Sequence, residues 1–129
     1  MNIIEKLLTT DIEKLQEGLK KDYEIVRLSN KIGLPFIVQC MPLNSEQMEH
    51  IVEISNNKIS DIKLNAIIEG CRLEGKSINN PALLEKFNCL TGKEFVEKLF
   101  LIGEISELYQ IINELSGYSR GAVKEIKKH

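Results

Sequence analysis

The sequence has no Trp and few aromatics of any kind, 5% of 129 residues, so its core must be built mainly from aliphatic side chains. It has no long apolar run. Stretches such as Leu99-Phe100-Leu101-Ile102 fall far short of the ~20 residues needed to cross a bilayer, which excludes a transmembrane helix. The opening Met1-Asn2-Ile3-Ile4-Glu5-Lys6-Leu7-Leu8 has neither the basic start nor the uninterrupted apolar segment of a secretory signal. Cysteine is scarce: Cys40, Cys71 and Cys89 are odd in number and widely spaced, which excludes a disulfide scaffold and suits thiols kept as small hydrophobes in a reducing cytoplasm. Neither sign of charge is in surplus. Lys and Arg number 17 against 19 Asp and Glu, a formal net charge of −2, so a partner held by broad phosphate neutralisation is not expected.

What is present is the composition of one soluble globular domain, with 43% hydrophobic and 28% charged residues. Near the N-terminus, Ile3, Ile4, Leu7 and Leu8 share a helical face, and Ile12, Leu15 and Leu19 continue a second amphipathic stretch weakened by Gly18. Tyr23–Leu28 and Pro35–Met41 are rich in β-formers and flank the turn residues Asn30 and Gly33, which predicts a β-hairpin. A helix over 22–32 competes for the same segment, because Tyr23, Val26 and Asn30 also share a helical face.

From residue 44 the pattern is helical. Asn44 or Ser45 opens a helix that Asn56-Asn57 ends, and Ser60 or Asp61 caps another that stops near Gly70 or Gly75. Asn80-Pro81 starts a third, facing Leu83, Leu84 and Phe87 to the core. Thr91 with Glu94 forms a capping box ahead of Phe95, Val96, Leu99 and Phe100. Gly103 breaks or bends the chain before the regular stripe Ile105, Leu108, Ile111, Ile112 and Leu115, which Gly117 ends. The tail from Tyr118 holds Arg120, Lys124, Lys127 and Lys128 against one acid, Glu125, and reads as a short fraying helix.

The expected fold is therefore mainly α: a single domain, 1–129, of five to six short helices with one β-hairpin near residues 23–42. Within it, 1–20 is a weakly ordered helical arm that orders on a partner, 44–117 the helical core and 118–129 a basic tail.

No pattern points to catalysis, a metal or a cofactor. Cys40, His50, Cys71 and Cys89 lack ligand spacing. His50 shares a charged face with Glu46 and Glu53, and His129 is terminal. The glycines are scattered rather than clustered into a phosphate cradle, and Glu104 with Glu107 reads as a solvated helix face. A helix-turn-helix over 61–75 and 81–88 fails because its second helix offers only Glu85 and Lys86 to base edges. A set of short amphipathic helices points instead to a protein that acts by binding.

One family resemblance spans most of the chain. It rests on Pro35-Phe36-Ile37-Val38, Pro42-Leu43-Asn44-Ser45-Glu46-Gln47, Leu64-Asn65-Ala66-Ile67-Ile68-Glu69-Gly70-Cys71 and Asn80-Pro81-Ala82-Leu83-Leu84. Its sharpest part is Leu99-Phe100-Leu101-Ile102-Gly103-Glu104-Ile105 with Ile112-Asn113-Glu114-Leu115-Ser116-Gly117-Tyr118. In order and spacing these resemble the XkdN-like tail assembly chaperones of long-tailed phages and phage-derived tail particles, and the first thirty residues match least.

The resemblance implies a non-enzymatic protein, without cofactor or metal. Such a protein binds the tape measure protein, keeps it soluble, helps tail tube protein assemble around it and leaves the finished tail. Phe95, Phe100, Ile105, Leu108 and Tyr118 are the expected core or interface positions. A homo-oligomer and a longer, frameshifted form of the chain are further expected partners. The competing readings are a helical adaptor or transcription regulator, and a small enzyme with a Cys–His site assembled in space. For the frameshift, Lys127-Lys128 predicts an A-rich slip heptamer in the gene, since Lys codons are AAA and AAG. The coding DNA checks it, and a heptamer-free stretch there removes the support.

Overall fold

A computed structural model of the chain describes residues 2–118 and 120–127. In chain order these form α1 (Ile3–Leu8), α2 (Ile12–Leu15), β1 (Lys21–Glu24), α3 (Val26–Ile32), β2 (Ile37–Cys40), α4 (Ser45–Ile54) and α5 (Ile59–Gly70). There follow β3 (Cys71–Leu73), β4 (Lys76–Ser77), α6 (Pro81–Lys86), α7 (Gly92–Leu99) and α8 (Ile102–Leu115). The four strands make one antiparallel sheet in the order β1-β2-β3-β4.

The helix α5 is the centre of the molecule. Leu64, Asn65, Ala66, Ile67 and Gly70 are all buried on it, so it is covered on nearly every side, as a core helix must be. It packs against α4, α7 and α8, and its chain runs directly into β3. Ile51 of α4, Phe95 and Val96 of α7, and Leu108 and Ile112 of α8 close around it, with Val38 and Cys40 from the sheet. One polar pair sits inside: Asn65 Nδ2 donates to Ser55 Oγ at 2.8 Å, tying the end of α4 to the middle of α5 and sparing both groups an unpaired burial.

Local chemistry sets the boundaries. The Asn44 side chain accepts from Gln47 N while Gln47 Oε1 accepts from Asn44 N, a reciprocal cap at the start of α4. Asn56 and Asn57, both at positive φ, end that helix. Asn80 accepts from Ala82 and Leu83 N ahead of Pro81. At the end of α8, Gly117 sits at φ +99°, its N–H donating to Glu114 O and that of Tyr118 to Asn113 O, the double closure that a left-handed residue permits.

The structure corrects the expected hairpin over 23–42. The strands do pair antiparallel, Lys21 with Cys40 through Glu24 with Ile37, but they are joined by a helix rather than a turn. Of Tyr23–Leu28 only Tyr23 and Glu24 lie in β1, while Val26–Ile32 is α3. Tertiary contacts override β-propensity here: Leu28 is buried, Arg27 reaches Glu104, and Gly33 at φ +77° stops the helix. A second hairpin is present where the pattern predicted only a helix end. Cys71–Leu73 and Lys76–Ser77 flank Glu74-Gly75, both at positive φ, the geometry of a two-residue turn matched to strand twist.

The helix count among the described residues is eight rather than five to six: the expected helical arm is two helices, α1 and α2, and α3 stands where a strand was expected. The break ahead of the last helix falls at Phe100-Leu101, and Gly103 lies inside the first turn of α8. Phe87 is 42% exposed rather than inward. Residues 120–123 form turn and bend and 124–127 no regular element, rather than helix, while Lys128 and His129 lie outside the described residues.

The approach of α8 to α5 generates a prediction. A Cβ on Gly70 would lie 2.9 Å from Ile112 Cδ1, 3.2 Å from Cγ1 and 3.3 Å from Cγ2. Three atoms of one fully buried side chain cannot all withdraw. Overpacking of about 1–3 kcal/mol exceeds the helix-propensity gain of at most about 1 kcal/mol. Gly70→Ala is therefore expected to destabilise the protein in urea titration. Gly103→Ala, with nothing within 4 Å, should leave stability unchanged or raise it.

Candidate partner-binding surface

The five expected positions fall into two groups. Phe95, Phe100, Ile105 and Leu108 are core side chains, none more than 9% exposed. Phe95 packs on Phe87 with ring centroids 5.5 Å apart, and Phe100 meets Phe36 edge-on at 6.2 Å. A partner could touch these four only if α7 or α8 opened. Tyr118 is 74% exposed, at the mouth of a cleft of about 350 Å³ with Met48 and Leu43.

The exposed apolar groups lie elsewhere. Neither α1 nor α2 contains a buried residue. Ile3, Ile4, Leu7, Leu8, Ile12, Leu15 and Leu19 are all exposed, a run of large aliphatics at helical spacing of which none is buried. The helices themselves are formed by local bonds: Asn2 caps α1 by accepting from Glu5 N at 2.9 Å, and Thr9 and Thr10 hydroxyls donate to the last carbonyls. Helices of this length are marginal alone in water.

A second apolar feature is a groove of about 700 Å³ along the sheet, floored by Ile37, Leu73, Phe36 and Leu83 and flanked by Leu34 and Ile32. Its rim carries both signs, Asp22 and Glu74 with Arg72 and Lys76. The turn residues that shape one end, Glu74-Gly75, were legible only as a helix stop. The floor could not be found without the pairing of β2 with β3.

One ion pair holds the frame beside these surfaces. Arg27 Nε and Nη2 donate to the two carboxylate oxygens of Glu104 at 3.1 and 2.9 Å, and Nη2 also donates to Leu99 O at 2.8 Å. Glu104 Oε1 further accepts from Leu101 N at 2.7 Å, capping α8. These bonds lock α3 to the α7–α8 corner, across 77 positions of sequence. Sequence reading assigned Glu104 to a solvated face; no local signal marks a partner so distant.

The remaining chemical candidates stay apart. His50 is exposed on α4, whereas the three cysteines are buried, and none of them hydrogen bonds to it. No cluster of three metal-ligating side chains occurs among the described residues. The two helices of the rejected helix-turn-helix are separated by the β3–β4 hairpin. No helix among the described residues is long and apolar enough to cross a membrane.

Fold and surface together define a small, mainly α protein that leaves an aliphatic arm uncovered beside a core built on α5. The chain belongs to the phage XkdN-like tail assembly chaperone family, whose sequence model matches residues 4–127. The match includes the arm from Ile4 onward, where the sequence resemblance is weakest. No curated protein and no solved structure matches the chain.

The Arg27–Glu104 pair predicts a pH response. The Arg27 hydrogen bond holds the Glu104 carboxyl below its ordinary value near 4.5, against a smaller opposing effect of burial. A depressed folded value means the contribution is fully present above the unfolded value and is lost as pH falls through the folded one. Glu104→Gln should therefore melt lower than the natural protein at pH 7. The gap should close as pH drops below about 4.5. Thermal unfolding of both proteins between pH 3 and 7 checks this.

Proposed function

We propose that this protein is a cytoplasmic chaperone of tail assembly that binds the tape measure protein in the host cell, holds it soluble while tail tube protein assembles around it, and is absent from the finished tail. The observation that carries the reading is the arm: seven large aliphatic side chains at helical spacing, all of them exposed. Monomeric soluble proteins rarely leave contiguous apolar surface of this kind without a use for it. A long amphipathic helix offers the complementary stripe, and helix-to-helix or helix-in-groove contact is the mode such surfaces serve. Family membership supplies the assembly context.

The chemistry also suits release. Two short helices that bury no residue must be held in place when they bind, and that ordering cost subtracts from the affinity. A holdase that must leave gains from this. Nothing in the reading calls for turnover of a substrate, and the function is non-catalytic. Tyr118, exposed at the other end of the helical core, is the remaining interface position of the five expected. Phe95, Phe100, Ile105 and Leu108 serve by shaping the frame, or by contact if α7 and α8 open. A longer frameshifted form would extend the chain beyond the tail and add contacts of its own.

Co-expression with the tape measure protein of the same phage or tail particle tests the proposal. The natural chain should raise the soluble tape measure fraction and co-elute with it on a sizing column. The double variant Leu7→Asp with Leu8→Asp should lose both effects while its own melting temperature stays put, because surface changes at uncovered sites cost within about 0.5 kcal/mol. An unchanged complex with that variant, or no complex with the natural chain, contradicts the arm's role. Phe95→Ala is not a substitute, since core truncation of Phe costs about 3–5 kcal/mol and unfolds the frame.

A further inference from the structure

Cys40 and Cys71 are placed opposite each other by the register of β2 and β3. The neighbouring bond from Met41 N to Gly70 O, at 2.9 Å, makes Met41–Gly70 a hydrogen-bonded pair. Pairs alternate along an antiparallel ladder, so Cys40–Cys71 is a non-hydrogen-bonded pair. In such a pair the Cα atoms approach to about 4.5 Å and the side chains lean together. That spacing lies within the range a disulfide accepts, about 4.4–6.8 Å. The sulfurs are already 3.8 Å apart, and both residues are 0% exposed. Cys89 is buried separately, its thiol donating to Phe87 O at 3.5 Å.

We propose that Cys40 and Cys71 form a latent disulfide site that a low-molecular-weight disulfide closes without rearranging the fold. In the first step a Cys40 thiolate attacks one sulfur of glutathione disulfide, forming a mixed disulfide and releasing one glutathione thiolate. In the second, the Cys71 thiolate attacks the Cys40 sulfur of that mixed disulfide and releases the second glutathione. The protein loses two protons and two electrons, and glutathione disulfide gains them as two glutathione molecules. The two sulfurs share one hydrogen bond in which either can donate, so the remaining thiol stabilises a thiolate at its neighbour, and the same sequence with the two cysteines exchanged gives the same product.

Burial sets the kinetics. A reagent must wait for the β2–β3 pairing at the middle of the sheet to open, so reaction is slow in the native protein. It also sets the product, since a glutathione adduct has no room when the sheet closes and is expelled by Cys71. The link spans 31 positions. A cross-link closing a loop of that size favours the folded chain over the unfolded one by roughly 10²-fold or more, and by linkage the fold favours the cross-link equally.

The test uses the full chain carrying Cys89→Ser, equilibrated in glutathione redox buffers with and without urea. The expected result is a mass loss of 2 Da, a linked Cys40–Cys71 peptide, and a melting temperature that rises on oxidation and returns with reductant. The native protein should hold the disulfide at roughly 10²-fold lower ratios of oxidised to reduced glutathione than the unfolded chain. Persistent glutathione adducts without the 2 Da loss, a linkage between two chains, or equal oxidation in urea and in buffer would each overturn it. Should Cys89→Ser fold poorly, the natural chain with peptide mapping of all three cysteines gives the same decision.

Discussion

Everything in this molecule is arranged around the burial of α5. A helix covered on nearly all sides needs neighbours on all sides, and a chain of 129 residues with few aromatics has little bulk to supply them. The solution is close approach. Gly70 lets Ile112 of α8 sit against the end of α5, and Ala66 keeps the middle of the helix slim. The short sheet then caps the arrangement, entered straight from Gly70 into Cys71. The elements that pack on this helix, α4, α7 and α8, all carry buried residues, whereas α1 and α2 have none.

That contrast bears on function. Elements tied into α5 are held by packing and by a few well-placed polar bonds, such as Ser55–Asn65 inside and Arg27–Glu104 at the corner. The arm is held only by its own caps and backbone bonds. The division is between a packed frame and an apolar segment that buries no residue. Membership of the XkdN-like tail assembly chaperone family agrees with a binding role in tail assembly.

Much of this was legible in the sequence, and the limits follow a physical line. Where a local signal acts on a local element, it could be read: the Asn44 and Asn80 caps, the Asn56-Asn57 stop, the stripe of α8 and the aliphatic faces of the arm. What depended on distant partners could not. The segment Val26–Ile32 has β-forming residues yet is helical, because Leu28 finds the core and Arg27 finds Glu104. The β3–β4 hairpin was hidden because Glu-Gly is not the dipeptide that usually announces such a turn, and its strands are two and three residues long. The expected interface residues show the same limit. A periodic apolar stripe looks alike whether it faces a core or a partner, and the structure places Phe95, Phe100, Ile105 and Leu108 in the core while Tyr118 faces outward.

The central claim is that contact with a helical partner is made by the arm and leaves the frame closed. Hydrogen–deuterium exchange of the chain alone and in complex with tape measure protein tests it most directly. The account predicts fast exchange over residues 3–19 in the free chain, strong protection there on binding, and unchanged slow exchange over 59–70 and 92–112. Protection that leaves 3–19 untouched, or faster exchange over 92–112 on binding, would contradict it and assign the contact to an opened core.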